Sequence, residues 1–312
     1  MRFAIYGLFF TKAFSFNDFQ FSPLESKLKF LERKKLLSDR RYYNLSGFID
    51  TPDINPNEFI FVMQAVLTFV QQQDVIIKDV FEDEIPTEYL SEFERTGSAA
   101  PFAFYSDLQE EIIEKLYLKL IDKNDLCNQK LDNSVFNSFH NCEFSSLVYK
   151  VTEPFHMRKK FIELTYYLYF SGLEAFCKQY LKSYYPEIKI VKETSKNLAE
   201  MLEKLGINYI HIDSKDYIYN LRSKINDKEK FLKLSLSTYS NLRNKLFHQN
   251  LFVAEVPCPM ATNGKELVQI TDYEYSLLRL CNVVILKYIG INNPILDCSK
   301  WYTRFPLIKS IH

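Results

Sequence analysis

The chain has 312 residues, 47% hydrophobic and 25% charged, with 27 Phe and 21 Tyr against only 7 Gly. That composition allows one large or two ordinary cores and excludes a disordered or low-complexity chain. Formal net charge is zero, yet residues 1–150 carry 16 basic against 23 acidic side chains while residues 151–312 carry 23 against 16, which reads either as unevenly charged solvated surface or as a basic half that faces a polyanion.

Six cysteines (Cys127, Cys142, Cys177, Cys258, Cys281 and Cys298) are widely spaced, with no Cys-x-x-Cys pair and no Cys/His ligand spacing. The pattern predicts free thiols in a reducing compartment and no metal site. No apolar run is long enough to cross a membrane. Residues 3–10 imitate a signal peptide but lack a small-residue cleavage site, so they are expected to form a strand and the protein to be cytoplasmic.

Residues 3–10 and Tyr42–Ile49 have strand character, and Phe14–Phe21 alternates Phe with polar residues about Asn17-Asp18, which predicts a strand or hairpin. Residues 25–37 suggest a short helix. Phe59, Phe61, Val62, Ala65, Val66, Phe69 and Val70 recur at helical spacing from Pro56 to Gln72. Val75–Val80 reads as a strand, and Ser106 opens a helix to about Asp122. Residues 125–150 read as irregular, with short strands at Val135-Phe136 and Leu147–Tyr149. The expected fold is two-domain: an α+β domain over 1–150, then an all-α helical domain over 151–312 with a β-hairpin insertion.

Within the second domain, Glu153-Pro154 is the expected boundary and a long helix is expected from Phe155 to about Tyr184, with Phe161, Leu164, Leu168, Leu173, Phe176, Tyr180 and Leu181 on one face and Gly172 as a close-packing point. Thr194–Leu205 predicts a second helix closed by Gly206. A third is expected to start at Asp227 and end at Asn250, its apolar face built from Phe231, Leu234, Leu242, Leu246 and Phe247. Leu251–Val256 and Leu267–Thr271 flank Asn263-Gly264, which predicts a hairpin. A last helix is expected from Asp272 to Gly290, followed by a Pro-containing tail.

The third helix carries the chemistry. Arg243, Asn244 and His248 lie in its final turns, with Asn244 and His248 four apart on one face. A guanidinium keeps its charge and presents a planar fork to phosphate oxygens, and an imidazole exchanges protons near neutral pH. His140, His156 and His211 lack such a partner in the sequence and are expected to be structural or exposed. Glu163 and Glu174 on the preceding helix are expected to give polar support or a solvated face.

Arg243-Asn244-Lys245-Leu246-Phe247-His248 near a helix end resembles the Arg-x(4–6)-His motif of the HEPN family, all-α ribonucleases and nucleotide-binding modules, and the helix order over about 150–290 resembles that family's arrangement. The two-part build is similar to that of bacterial anti-phage and abortive-infection effectors. The resemblance implies a metal-independent endoribonuclease, a toxin or defence effector without a cofactor, in which Arg243 clamps the phosphate, His248 is acid or base and Asn244 orients the imidazole or the phosphate. It also implies a homodimer, because one imidazole cannot serve both the 2′- and the 5′-oxygen. Lys245, Lys233, Lys230 and Lys228 extend a basic track for RNA in this reading, and Tyr239 stacks a base. The first domain is then expected to sense a phage-derived or nucleotide trigger, or to restrain the second. The alternatives are a non-catalytic HEPN module that binds RNA or a nucleotide, and a structural interaction protein.

Overall fold

The computed structural model describes residues 1–24, 43–81, 85–87, 89–90, 106–122, 143–157, 161–207, 228–257, 263 and 265–293. They form a mixed α+β protein that divides into two compact units, residues 1–121 with 152–160 and residues 122–151 with 161–312. The expected helix over 25–37, the strand at Val135-Phe136 and the tail lie outside the described residues. None of the described helices is long and apolar enough to cross a membrane.

The first unit is built on an antiparallel sheet in the order β2-β3-β4-β1-β5, with β6 beside β4. Its strands are β1 (Arg2–Tyr6), β2 (Phe14–Phe16), β3 (Phe19–Pro23), β4 (Tyr43–Asp50), β5 (Ile76–Asp79) and β6 (Tyr89–Leu90). The hairpin predicted about Asn17-Asp18 is β2–β3, turning through Asn17 at φ 46°. Period-two alternation sends Phe3 and Ile5 to one face of β1 and Ala4 and Tyr6 to the other. Phe3 pairs with Ile49 and Ala4 with Phe48, a register that keeps each face apolar.

Two helices, α1 (Pro56–Gln71) and α2 (Ser106–Ile121), pack on each other and on the first face. Rings interlock there: Phe59 lies 4.9 Å from Phe3 and 5.2 Å from Phe19, and Tyr117 lies 5.3 Å from Phe19, centroid to centroid. Asn55 caps α1 by accepting from the Asn57 amide, and Pro56 occupies the first turn, where a missing N–H costs nothing. The other face carries a smaller cluster of Ala4, Tyr6, Tyr43 and Leu45, covered by Phe48, Ile76, Val80 and Leu90.

Gly47 is a point of close approach in the sheet. A Cβ there would stand 2.3 Å from the Ser22 carbonyl oxygen and 2.6 Å from Cζ of Phe10.

Helix α3 (Glu143–His156) lies where the sequence predicted irregular chain and then a strand at Leu147–Tyr149. Phe144, Leu147, Val148, Val151 and Phe155 are all buried at helical spacing. A short aromatic and β-branched run fits strand and helix alike by periodicity, and burial of the whole stripe decides for the helix. Pro154 sits in the last turn and α3 ends two residues later, so Phe155 closes this helix rather than opening the next.

The second unit continues with α4 (Ile162–Tyr184), α5 (Thr194–Lys204), α6 (Lys228–Gln249), the hairpin β7 (Val253–Pro257) and β8 (Lys265–Gln269), and α7 (Ile270–Tyr288). Helix α4 is central and packs against α5, α6 and α7, while α6 also packs against α5 and β7. Phe144, Phe176 and Tyr288 meet at centroid distances of 4.7 to 5.8 Å. Gly172 is the close-packing point expected of it: an added Cβ would lie 3.3 Å from Cα of Leu147. The apolar face predicted for α4 holds over Leu173, Phe176, Tyr180 and Leu181, whereas Phe161 and Leu164 are exposed. Helix α7 begins two residues before Asp272, directly off β8.

Candidate functional site

Helix α6 is anchored by Leu236, Tyr239, Leu242 and Leu246, all buried at spacings of three and four. It ends as predicted: Asn250 takes φ 52°, its amide donates to the Leu246 carbonyl, and the Leu251 amide reaches back to Lys245. That paired closure satisfies the last carbonyls and fixes the position of the final turn.

The final turns present two rows side by side. Arg243 and Phe247, four apart, face α4, and Asn244 and His248, also four apart, form the next row toward solvent. Arg243 is half-buried with its guanidinium over the Phe170 ring, 5.2 Å from the centroid. One nitrogen, Nη2, donates to Oε2 of Glu174 at 2.5 Å, and Nη1 donates to Oδ1 of Asn244 at 2.9 Å. The guanidinium is thus fixed on two sides and by a ring below, with its remaining N–H groups uncommitted to these partners.

Glu174 is the residue that holds this arrangement. Its carboxylate also accepts from Lys178 and from the Thr194 hydroxyl, both at 2.9 Å. Burial by itself pushes the Glu174 carboxyl up, but the hydrogen bonds from Lys178, Thr194 and Arg243 and the guanidinium charge outweigh it and hold the group below its ordinary range. Beside it lies a groove of about 310 Å³ whose lining includes Glu143, Ser171, Glu174, Lys178, Gln179 and Lys182.

The other predicted residues fall out as follows. His248 is exposed and makes no hydrogen bond or ion pair among the described residues. Lys245 lies one residue beyond Asn244, with Nζ donating to Gln249. Lys228, Lys230 and Lys233 belong to the first turns of α6, and their side chains lie outside the described residues. Tyr239 cannot stack a base. It is buried at 1% exposure, its hydroxyl bonded to that of Ser276 and its carbonyl accepting from Tyr166. The helical stripe that made Tyr239 look available is the stripe that packs into the core. Phe247 errs the other way: expected in the apolar face, it is 53% exposed and packs against Tyr167 with the rings tilted, centroids 4.4 Å apart.

Two constellations escaped sequence reasoning. The sequence suggests only diffuse polar support for Glu174, although Lys178 four residues later is a visible helical partner. The second joins residues far apart in the chain, all within the first unit. Buried Asp74 accepts the Tyr43 hydroxyl at 2.5 Å and bonds Nδ1 of His156, a histidine expected to lack a partner. Burial pushes the His156 imidazole down, but the hydrogen bond and charge of Asp74, helped by Glu153, overcome this and raise it above its ordinary value. No signal in the sequence links position 74 to position 156.

Cys177 and Cys281 are free and buried, and burial pushes both thiols well up. The other four cysteines lie outside the described residues. No family model, no curated protein and no solved structure matches this chain.

Proposed function

We propose that the second unit is a HEPN-type, metal-independent endoribonuclease module acting as a homodimer in the cytoplasm, consistent with a toxin or anti-phage effector. The observation that carries this reading is the state of Arg243: a guanidinium immobilised by Glu174, Asn244 and Phe170, with N–H groups left over, and an exposed His248 five residues on in the neighbouring row. An immobilised cation stabilises developing charge without reorganising at the moment of reaction.

In the proposed reaction, one His248 takes the proton of the ribose 2′-hydroxyl, and the 2′-oxygen attacks the adjacent phosphorus. The bond to the 5′-oxygen breaks, and that oxygen takes a proton from the imidazolium of the second protomer's His248. The products are a 2′,3′-cyclic phosphate and a 5′-hydroxyl, and the two histidines exchange protonation states. Arg243 holds the non-bridging oxygens as charge builds on them, and Glu174 is a positioning residue that acts through Arg243. The two-histidine requirement is why a dimer is part of the proposal.

The test is to incubate labelled RNA with the full chain in EDTA and to identify the product ends. Binding without cleavage supports a recognition module instead, and no interaction with RNA rejects both.

A further inference from the structure

Beside the Arg243 clamp stands a flat, exposed ring in register with it. Phe247 lies one helical turn beyond Arg243 on the same row, about 6 Å along the axis, which is the reach of a single extended nucleotide. Phe247 is 53% exposed, although it sits at the margin of a packed helix pair. One side rests on Tyr167 of α4 with planes 36° apart, so the ring is held in orientation while the rest of it meets solvent. Tyr167 and Phe170, three apart on α4, therefore support Phe247 and Arg243 in turn.

We propose that the Phe247–Tyr167 pair is a base-stacking platform that makes this site selective for unpaired RNA. A phosphate held by Arg243 leaves the neighbouring nucleotide over Phe247, and an aromatic face accepts any base that is free to leave its own stack. A base inside a duplex cannot reach a ring this close to the helix surface without being unpaired first. The platform replaces the stacking role that buried Tyr239 cannot fill, and its occupant is set by the row it shares with the phosphate clamp. This inference rests on the proposed function and adds the form of RNA that the site takes.

The experiment uses the full chain carrying His248→Ala, so that RNA is bound without being cut. Two probes share one sequence, one unstructured and one sealed in a duplex, each with 2-aminopurine as the reporter base. The unstructured probe should bind more tightly and its fluorescence should be quenched by stacking. Adding Phe247→Ala should weaken unstructured RNA about tenfold and abolish the quenching with little change for the duplex, whereas Phe247→Trp should retain both. Equal weakening of the two probes, or unchanged affinity and quenching in Phe247→Ala, overturns the platform. So does a loss of dimer mass in light scattering that accounts for the affinity change, which would assign Phe247 to a contact between copies. Failure of the unaltered chain to bind RNA overturns the proposed function as well, whereas RNA binding indifferent to Phe247 overturns this inference alone.

Discussion

Arg243 on α6 donates to Glu174 on α4 across 69 residues of chain, at 2.5 Å and over the Phe170 ring. The pair sits at the margin of the helix packing, with 26% and 14% of the two side chains exposed. It converts a long flexible cation into one with a single direction, which is what a phosphate clamp requires.

The first prediction separates orientation from charge. Glu174→Gln keeps the shape and removes the charge: the amide oxygen can still accept from Lys178 and Thr194, but the amide nitrogen in place of Oε2 cannot accept from Arg243, which loses its anchor. Cleavage should fall by at least tenfold while far-ultraviolet circular dichroism is unchanged, with a stability loss of about 1–3 kcal/mol in urea titration. Cleavage at the unaltered level would show that the ion pair is only structural.

The same pair has a pH signature. The folded Glu174 carboxyl is held below its ordinary value, so its stabilising contribution is present above the usual carboxylate range near pH 4 and is lost as pH falls through the lowered folded value. Measured down a pH series, the stability gap between the unaltered chain and Glu174→Gln should therefore close in acid.

His156 behaves in the opposite sense. Its folded value is raised, so the contribution of the Asp74 pair is complete below an unperturbed imidazole value near pH 6.5 and is lost as pH rises through the raised folded value. Comparing the unaltered chain with His156→Gln should show a gap that is wide at about pH 6 and narrows toward alkaline pH. A gap that widens with pH would contradict the assignment. Asp74→Asn should be costlier than His156→Gln, because Asp74 serves both His156 and the buried Tyr43 hydroxyl.

A fourth prediction concerns the sheet alone. Gly47→Ala places a methyl against the Ser22 carbonyl and the Phe10 ring, and the carbonyl belongs to a paired strand that cannot move away. The expected cost is about 3 kcal/mol or more, read as a large drop in thermal midpoint. A shift within error would mean that the β3–β4 pairing yields easily.

Regular elements were readable where the apolar period was long. Helix α1, the β2–β3 hairpin, the close of α5 at Gly206 and the left-handed Asn250 all follow from local chemistry that no distant contact overrides. The α3 region reads as a strand only if the three residues Leu147–Tyr149 are taken alone, a run too short to have a period; the helical stripe from Phe144 to Phe155 is interrupted by Ser, Lys, Thr and Pro, and burial shows it to be one face. The motif showed the same division. Its position at a helix end was legible, because capping is local. Which of its neighbours were buried was not: Tyr239 and Phe247 are eight apart with similar hydrophobicity, and only the packing of α4 distinguishes an enclosed ring from an exposed one. Glu174 and Asp74 belong to partnerships that span 69 and 82 residues, beyond any periodic signal.

The most direct measurement of the central claim is product analysis with end-labelled RNA in excess EDTA, comparing the unaltered chain with Arg243→Ala and His248→Ala. The account predicts 2′,3′-cyclic phosphate ends from the unaltered chain and a loss of at least a hundredfold in each variant, with circular dichroism unchanged. Cleavage that persists in His248→Ala, or an unaltered chain that leaves RNA intact under all conditions tried, would contradict it.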